Sequence, residues 1–268
     1  MPKRPLILIS NDDGIGAPGL RALVAAVEDL GDIVVAAPDR ERSAASHSIT
    51  LNSPLRVDEL TPGRFAIDGT PVDCIYLAAL HLVPRKPDLC LSGINDGYNL
   101  GADVFYSGTV AAAVEATLRG IPSIAVSAAR QRPQSFEAGA AFIRSLVEET
   151  LMRRQEGKGP FPEGALLNVN LPPGEISGYQ ITFLGRRVYR DQVEVREDLR
   201  GRSYYWIGGP EEEAVDLPGS DCSAVQAAMA SITPLALDMT HVGLLRDLES
   251  WDVGTFVRSA VAHGKKTS

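Results

Sequence analysis

Leu6-Ile-Leu-Ile-Ser-Asn-Asp-Asp-Gly-Ile-Gly-Ala-Pro-Gly-Leu20 is the stretch from which the rest of the chain is read. Leu6 to Ile9 is apolar on both faces, the pattern of a central parallel strand with helices covering each side of its sheet. The run stops at Ser10-Asn11-Asp12-Asp13-Gly14, so two adjacent carboxylates stand at the carboxyl end of the first strand. That edge is where open α/β sheets bind ligands. Neighbouring like charges repel, and no Lys or Arg lies near them in sequence. A hard divalent cation with oxygen ligands keeps both ionised. The plainer reading has one Asp capping the next helix and the other in solvent, since Asp and Gly are common turn residues.

Downstream, Leu20, Leu23, Val24, Val27 and Leu30 make a helical stripe that Gly31 ends, and Ile33 to Ala37 is a second strand closed by Pro38. Strand, helix and strand in this span make a βαβ unit with a right-handed crossover. Residues 49–57 and 64–67 read as two short strands joined by the turn Thr61-Pro-Gly63. Thr70 and Pro71 are the N-cap and first residue of a helix running to about Leu82. Asp88 to Ser92 is a buried strand. Tyr106 to Glu115 is a loop running into a helix that Gly120 ends, and Ile121 to Val126 is a strand. Ser135 to Arg153 is a helix and Ala165 to Leu171 a strand. The pattern predicts an α/β, Rossmann-like three-layer core with a mainly parallel sheet, forming one domain over 1–268.

Residues 186–218 break this pattern. They are charged and aromatic without helical period, and alternation in Val193-Glu-Val195 and Tyr204 to Ile207 predicts a C-terminal β-hairpin arm. An isolated hairpin is marginal in water, so the arm is expected to pack on another subunit. A helix over 221–230, a strand over 232–237, a last helix over 251–261 and a disordered tail at 265–268 complete the reading.

The net charge of −8 and pI of about 5.1 exclude a general affinity for nucleic acid duplexes or anionic membranes. No window approaches the ~20 apolar residues of a membrane span. Cys74, Cys90 and Cys222 form no Cys-x-x-Cys pair, and the first two lie in apolar runs. The expected location is cytoplasmic.

Three polar edges follow three strands: Asn11, Asp12 and Asp13; Ser43 with Arg40 and Arg42; Asn95 and Asn99. A doubly wound sheet gathers such edges at one crevice. Carboxylates, a hydroxyl and an amide oxygen suit Mg²⁺ or Mn²⁺, and the four histidines show no metal spacing. Ser107, Gly108 and Thr109 open a helix, where unpaired N–H groups favour an anion such as phosphate; an ordinary N-cap is the plainer reading. A dinucleotide fingerprint, a P-loop and a nucleophile elbow are all missing. Metal beside anion site predicts phosphoester hydrolysis, by water or through an aspartyl-phosphate on Asp12. A nucleotide-binding module without turnover is the alternative.

Asn11-Asp-Asp-Gly14, Pro38-Asp39 with Ser43, Gly69-Thr-Pro71, Ser92-Gly-Ile-Asn95 with Gly97 and Asn99, Tyr106-Ser-Gly-Thr109 and Ser231-Ile-Thr-Pro-Leu235 together resemble the SurE (survival protein E) family of 5′/3′-nucleotidases. The resemblance implies a phosphatase acting on nucleoside monophosphates, with Asp12 and Asp13 catalytic. It implies one divalent metal ion per subunit on Asp12, Asp13, Ser43 and Asn95; the residues expected to bind the substrate phosphate are Asn99, Ser107, Gly108 and Thr109. It also implies a homodimer or homotetramer with exchanged arms. Ala116 and the block from Ser220 to Ala228 depart from the usual family pattern, away from these ligands. Base preference, 5′ against 3′ cleavage and action on polyphosphate stay open.

Overall fold

Strand β1 (Leu6–Ser10) turns alternate residues toward two different helical layers. Ile7 and Ile9 join Leu20, Leu23 and Val27 of α1 (Pro18–Val27) and Ile143, Val147 and Leu151 of α4 (Glu137–Gln155). Leu6 and Leu8 join Cys74 and Ile75 of α2 (Pro71–Leu77) and Ala112 and Ala116 of α3 (Gly108–Leu118). Burial on both faces is why the run carries no polar residue before Ser10. These relations come from a computed structural model that describes residues 3–130, 136–157, 159–188, 192–208, 215 and 217–251.

The remaining strands are β2 (Asp32–Pro38), β3 (Val57–Thr61), β4 (Arg64–Ile67), β5 (Leu89–Asp96), β6 (Ser123–Ala128), β7 (Ala165–Leu171), β8 (Gly178–Ile181), β9 (Gln192–Glu197), β10 (Ser203–Gly208) and β11 (Met229–Ala236). Nine of them form one sheet in the order β3-β4-β2-β1-β5-β6-β7-β11-β8. The strands from β4 to β7 in that order run parallel, whereas β3 and β11 run antiparallel to β4 and β7. The chain winds outward from β1 to one side, then returns to place β5 on the other. The crevice at that reversal is the ligand position of a doubly wound fold. The fold class read from the sequence is therefore the fold observed.

Local signals hold where side chains close the backbone. Thr70 forms a capping box with Asp73 at the start of α2, and Pro71 is its first residue. Other expectations need correction. Residues 49–56 are not a strand. Thr50 N–H and hydroxyl donate to the Asp73 carboxylate at 2.8 and 2.7 Å, and Thr70 Oγ1 donates to the Ser48 carbonyl at 2.7 Å. The segment is thus anchored to the start of α2 instead of to a ladder. Helix α5 (Asp221–Gln226) is shorter than 221–230, because Ala228 takes a left-handed conformation (φ 55°) and β11 begins at Met229. The helix expected over 251–261 and the tail at 265–268 lie outside the described residues, apart from Trp251. The segment from Asp238, taken by itself, holds a helix the sequence reading lacked, α6 (Val242–Leu248).

The arm is present as the antiparallel pair β9–β10, a two-stranded sheet of its own. Its two feet touch. Phe183 and Ser220 form a single parallel bridge, Phe183 N–H donates to the Gly219 carbonyl (3.3 Å), and Asp221 N–H donates to the Phe183 carbonyl (2.9 Å).

Candidate active site

The loops after β1, β2 and β5 are stitched to one another by hydrogen bonds from the residues at issue. Ser10, the last residue of β1, pairs in register with Ser92 of β5, and both are fully buried. Beyond them, Asn11 Nδ2 donates to the Gly14 carbonyl at 3.0 Å and closes the turn. Gly14 has φ 96° and a Cβ there would lie 3.0 Å from the Arg40 backbone, so the first loop packs against the second only as glycine. Arg42 N–H donates to the Asp12 carbonyl at 2.7 Å, and Asp96 N–H donates to Asp13 Oδ2 at 3.3 Å. Asp12 and Asp13 thus hold the second and third edges to the first.

The four proposed metal donors each turn a hydrogen elsewhere or lack one. Ser43 Oγ donates to Glu41 Oε1 at 2.6 Å, and Asn95 Nδ2 donates to the Gly97 carbonyl at 2.8 Å. What Ser43, Asn95, Asp12 and Asp13 have left is oxygen lone pairs, which is the chemistry a hard cation needs. Arg40 and Arg42 do not neutralise the carboxylates; both face Asp39, at 3.3 and 3.7 Å. Among the described residues no group of three or more His, Cys, Asp and Glu is placed to hold a metal. The donor set is instead two carboxylates, a hydroxyl and an amide oxygen, and it fits Mg²⁺ or Mn²⁺ rather than zinc.

Asp12 is 4% exposed. Burial pushes its carboxyl above the usual range, partly offset by the Thr109 hydroxyl, which donates to Oδ1. Burial, then the charge of Asp12, pushes Asp13 up to about 6. A carboxyl that holds its proton more tightly when folded stabilises the fold at low pH, and that contribution is lost as pH rises through about 6. The Tm of the metal-free protein relative to an Asp13→Asn variant is therefore expected to fall between pH 4 and 7. Discounted for partial exposure, the effect corresponds to about 2 kcal/mol, on the order of 5 °C. Melting both proteins in chelator across that range checks it. A constant difference would mean Asp13 is not strained by its neighbours.

Of the phosphate candidates, Gly108 and Thr109 fall beside Asp12. Ser107 is the N-cap of α3, its Oγ accepting from Val110 N–H at 3.1 Å. A Cβ at Gly108 would lie 2.8 Å from the Asp12 Cβ. Thr109, fully buried, uses its hydroxyl on Asp12. Both hydroxyls therefore have structural partners, and the Thr109 N–H also bonds to the Asp12 carboxylate. Asn99 sits in a buried amide network. Its Nδ2 donates to Ser127 Oγ (2.6 Å), its N–H donates to Asn170 Oδ1 (2.8 Å), and its carbonyl accepts from Asn168 (2.9 Å) and Asn170 (3.1 Å).

Sequence reading missed Asn168 and Asn170. The signal was there, since both are polar at alternate positions of an otherwise apolar strand. It also missed how the Ser43 loop is fastened. His47 Nε2 meets Glu115 Oε2 at 3.1 Å, Ser46 N–H donates to the Tyr106 carbonyl (3.2 Å), and Ser46 Oγ donates to the Phe105 carbonyl (2.6 Å).

A family model described as survival protein SurE matches residues 7–191. The 5′-nucleotidase SurE of Myxococcus xanthus is 52% identical over 260 residues, covering 96% of each chain. The 5′-nucleotidase SurE of Geobacter metallireducens is 46% identical over 250 residues, covering 92% of this chain and 97% of that protein. The crystal structure of the SurE protein from Aquifex aeolicus superposes with a TM-score of 0.80 at 40% identity, covering 91% of this chain and 98% of that one.

Proposed function

This chain belongs to the survival protein SurE family, and from that premise we propose that it is a 5′-nucleotidase that cleaves nucleoside monophosphates at a divalent metal site. Asp12, Asp13, Ser43 and Asn95 hold the ion, and the helix start at Ser107, Gly108 and Thr109, with Asn99, holds the substrate phosphate. The observation that carries this reading is the contact between Thr109 and Asp12. It joins a cation site to an anion site, and a phosphomonoesterase needs the two side by side.

When bound, the ion supplies positive charge to the phosphoryl oxygens and lowers the pKa of water. The chain's own residues do the positioning. Thr109 fixes the rotamer of Asp12, and Asp96 N–H fixes one oxygen of Asp13. The positive end of the α3 dipole, beside Ser107 and Gly108, favours the phosphate oxygens. The Ser43 hydroxyl donates its hydrogen bond to Glu41, which leaves the oxygen lone pairs for the cation. Phosphate release from AMP with Mg²⁺ or Mn²⁺, and none with chelator, tests the reading. Binding of AMP without release would make the chain a nucleotide-binding module. The same assay with 3′-AMP and polyphosphate sets the substrate range.

The arm favours assembly of a homodimer or homotetramer. Tyr205, Trp206 and Ile207 are 63%, 60% and 90% exposed in a ribbon too small to bury them itself. Deleting 186–218 is expected to convert the oligomer to smaller species in light scattering. An unchanged mass would remove the arm from the interface. No helix among the described residues is long and apolar enough to cross a membrane.

A further inference from the structure

Two aromatic rings stand in solvent immediately before the phosphate-binding helix start. Phe105 is 58% exposed and Tyr106 69%. Their backbone is held from both sides. Tyr106 N–H donates to the Asp103 carbonyl at 3.0 Å, and Ser107 N–H donates to the same carbonyl at 3.1 Å. Ser46, on the loop that carries Ser43, donates to the carbonyls of both Tyr106 and Phe105. Among the described residues neither ring has an aromatic or cation–π partner. A ring kept in water on a fixed backbone forgoes the free energy of burial unless a ligand or partner covers it.

Position identifies the ligand. In a nucleoside monophosphate the base stands one ribose from the phosphorus. Tyr106 stands one residue from Ser107, and consecutive Cα atoms are about 3.8 Å apart. We propose that Tyr106 is the nucleobase platform of this site, its ring stacking on the base while the start of α3 holds the phosphate. The inference rests on the nucleotidase reading and deepens it. Stacking uses the π-face that every base has, so this residue selects nucleotides over phosphomonoesters without a base and tolerates any base.

The test compares AMP with ribose 5-phosphate, which carries the same phosphate and sugar and no base. Tyr106→Ala should lower kcat/KM for AMP about tenfold or more, mostly through KM, as expected for a lost base–aromatic stack. Its kcat/KM for ribose 5-phosphate should stay within about twofold of wild type. Tyr106→Phe, which keeps the ring, should match wild type on both substrates. Equal losses on the two substrates overturn the proposal, as does no loss on AMP. A lower mass in light scattering together with equal losses would assign the ring to a subunit contact and also overturn it. If the wild-type protein with Mn²⁺ hydrolyses neither compound, the nucleotidase reading itself falls, and the inference with it.

Discussion

Replacing Asp12 or Asp13 with asparagine is expected to reduce kcat/KM for AMP by about a thousandfold or more while the protein still folds. In the proposed site each carboxylate would supply charge to a cation worth several kcal/mol of transition-state stabilisation, and each 1.36 kcal/mol is a factor of ten. The fold survives because asparagine keeps the shape and an acceptor oxygen. In Asp12→Asn the side-chain amide oxygen still accepts from Thr109, and in Asp13→Asn it still accepts from Asp96 N–H. Both wild-type carboxyls are already pushed upward by burial, so removing one charge relieves repulsion, and the metal-free Tm should rise near neutral pH. Mn²⁺ titration by calorimetry, with melts in chelator, separates the effects. Wild-type turnover and metal affinity in both variants would remove the proposed site.

Gly108→Val is expected to be nearly as severe, for a reason that lies in the carboxylate rather than in the phosphate. A Cβ at this position falls 2.8 Å from the Asp12 Cβ, 3.0 Å from its Oδ2 and 3.1 Å from Pro71 Cγ. Asp12 has no easy retreat. Thr109 holds its other oxygen, and Arg42 N–H holds its carbonyl. Even alanine must move one of them, and valine adds two methyl groups. Overpacking of this kind costs about 1–3 kcal/mol of stability, and a misplaced catalytic group loses about a hundredfold in rate. Ser107→Ala should cost one to two decades, the worth of about 1.5–3 kcal/mol for a bond to a charged oxygen, and Thr109→Ala as much by releasing the Asp12 carboxylate that its hydroxyl holds. Protection from heat by inorganic phosphate in chelator, compared in wild type and the Ser107→Ala variant, measures the anion site apart from the carboxylate. Full activity in Gly108→Val would show that Asp12 has room the geometry denies it.

Much of this was legible from local chemistry. The doubly apolar run at Leu6 to Ile9, the capping pair Thr70–Pro71 and the N-cap Ser107 each act within a few residues, and each sits where its pattern predicts. Asp12 and Asp13 stood out because like charges side by side need an external partner. What escaped was decided across the sheet. Thr109 meets Asp12 from 97 positions away, and Asn170 meets Asn99 from 71. No periodicity encodes such a pairing, which exists only once β5 docks on β1 and β7 follows β6. Residues 49–56 misled because Leu51 and its neighbours alternate like a strand, while their backbone groups are claimed by Asp73 and Thr70.

The touching feet of the hairpin make it a graft. Phe183 is hydrogen-bonded to Gly219 and Asp221, so the insert leaves and rejoins the sheet at nearly one point. Closing a loop of some thirty residues in place of a four-residue turn costs a lone subunit about 2 kcal/mol, at about 0.6 kcal/mol per doubling of length. Part of that deficit is recovered where the insert returns to the body of the subunit, as Arg187 does 2.6 Å from Asp103. For a designer, a tight turn joining Phe183 to Gly219 is the natural starting point for a minimal version of the enzyme.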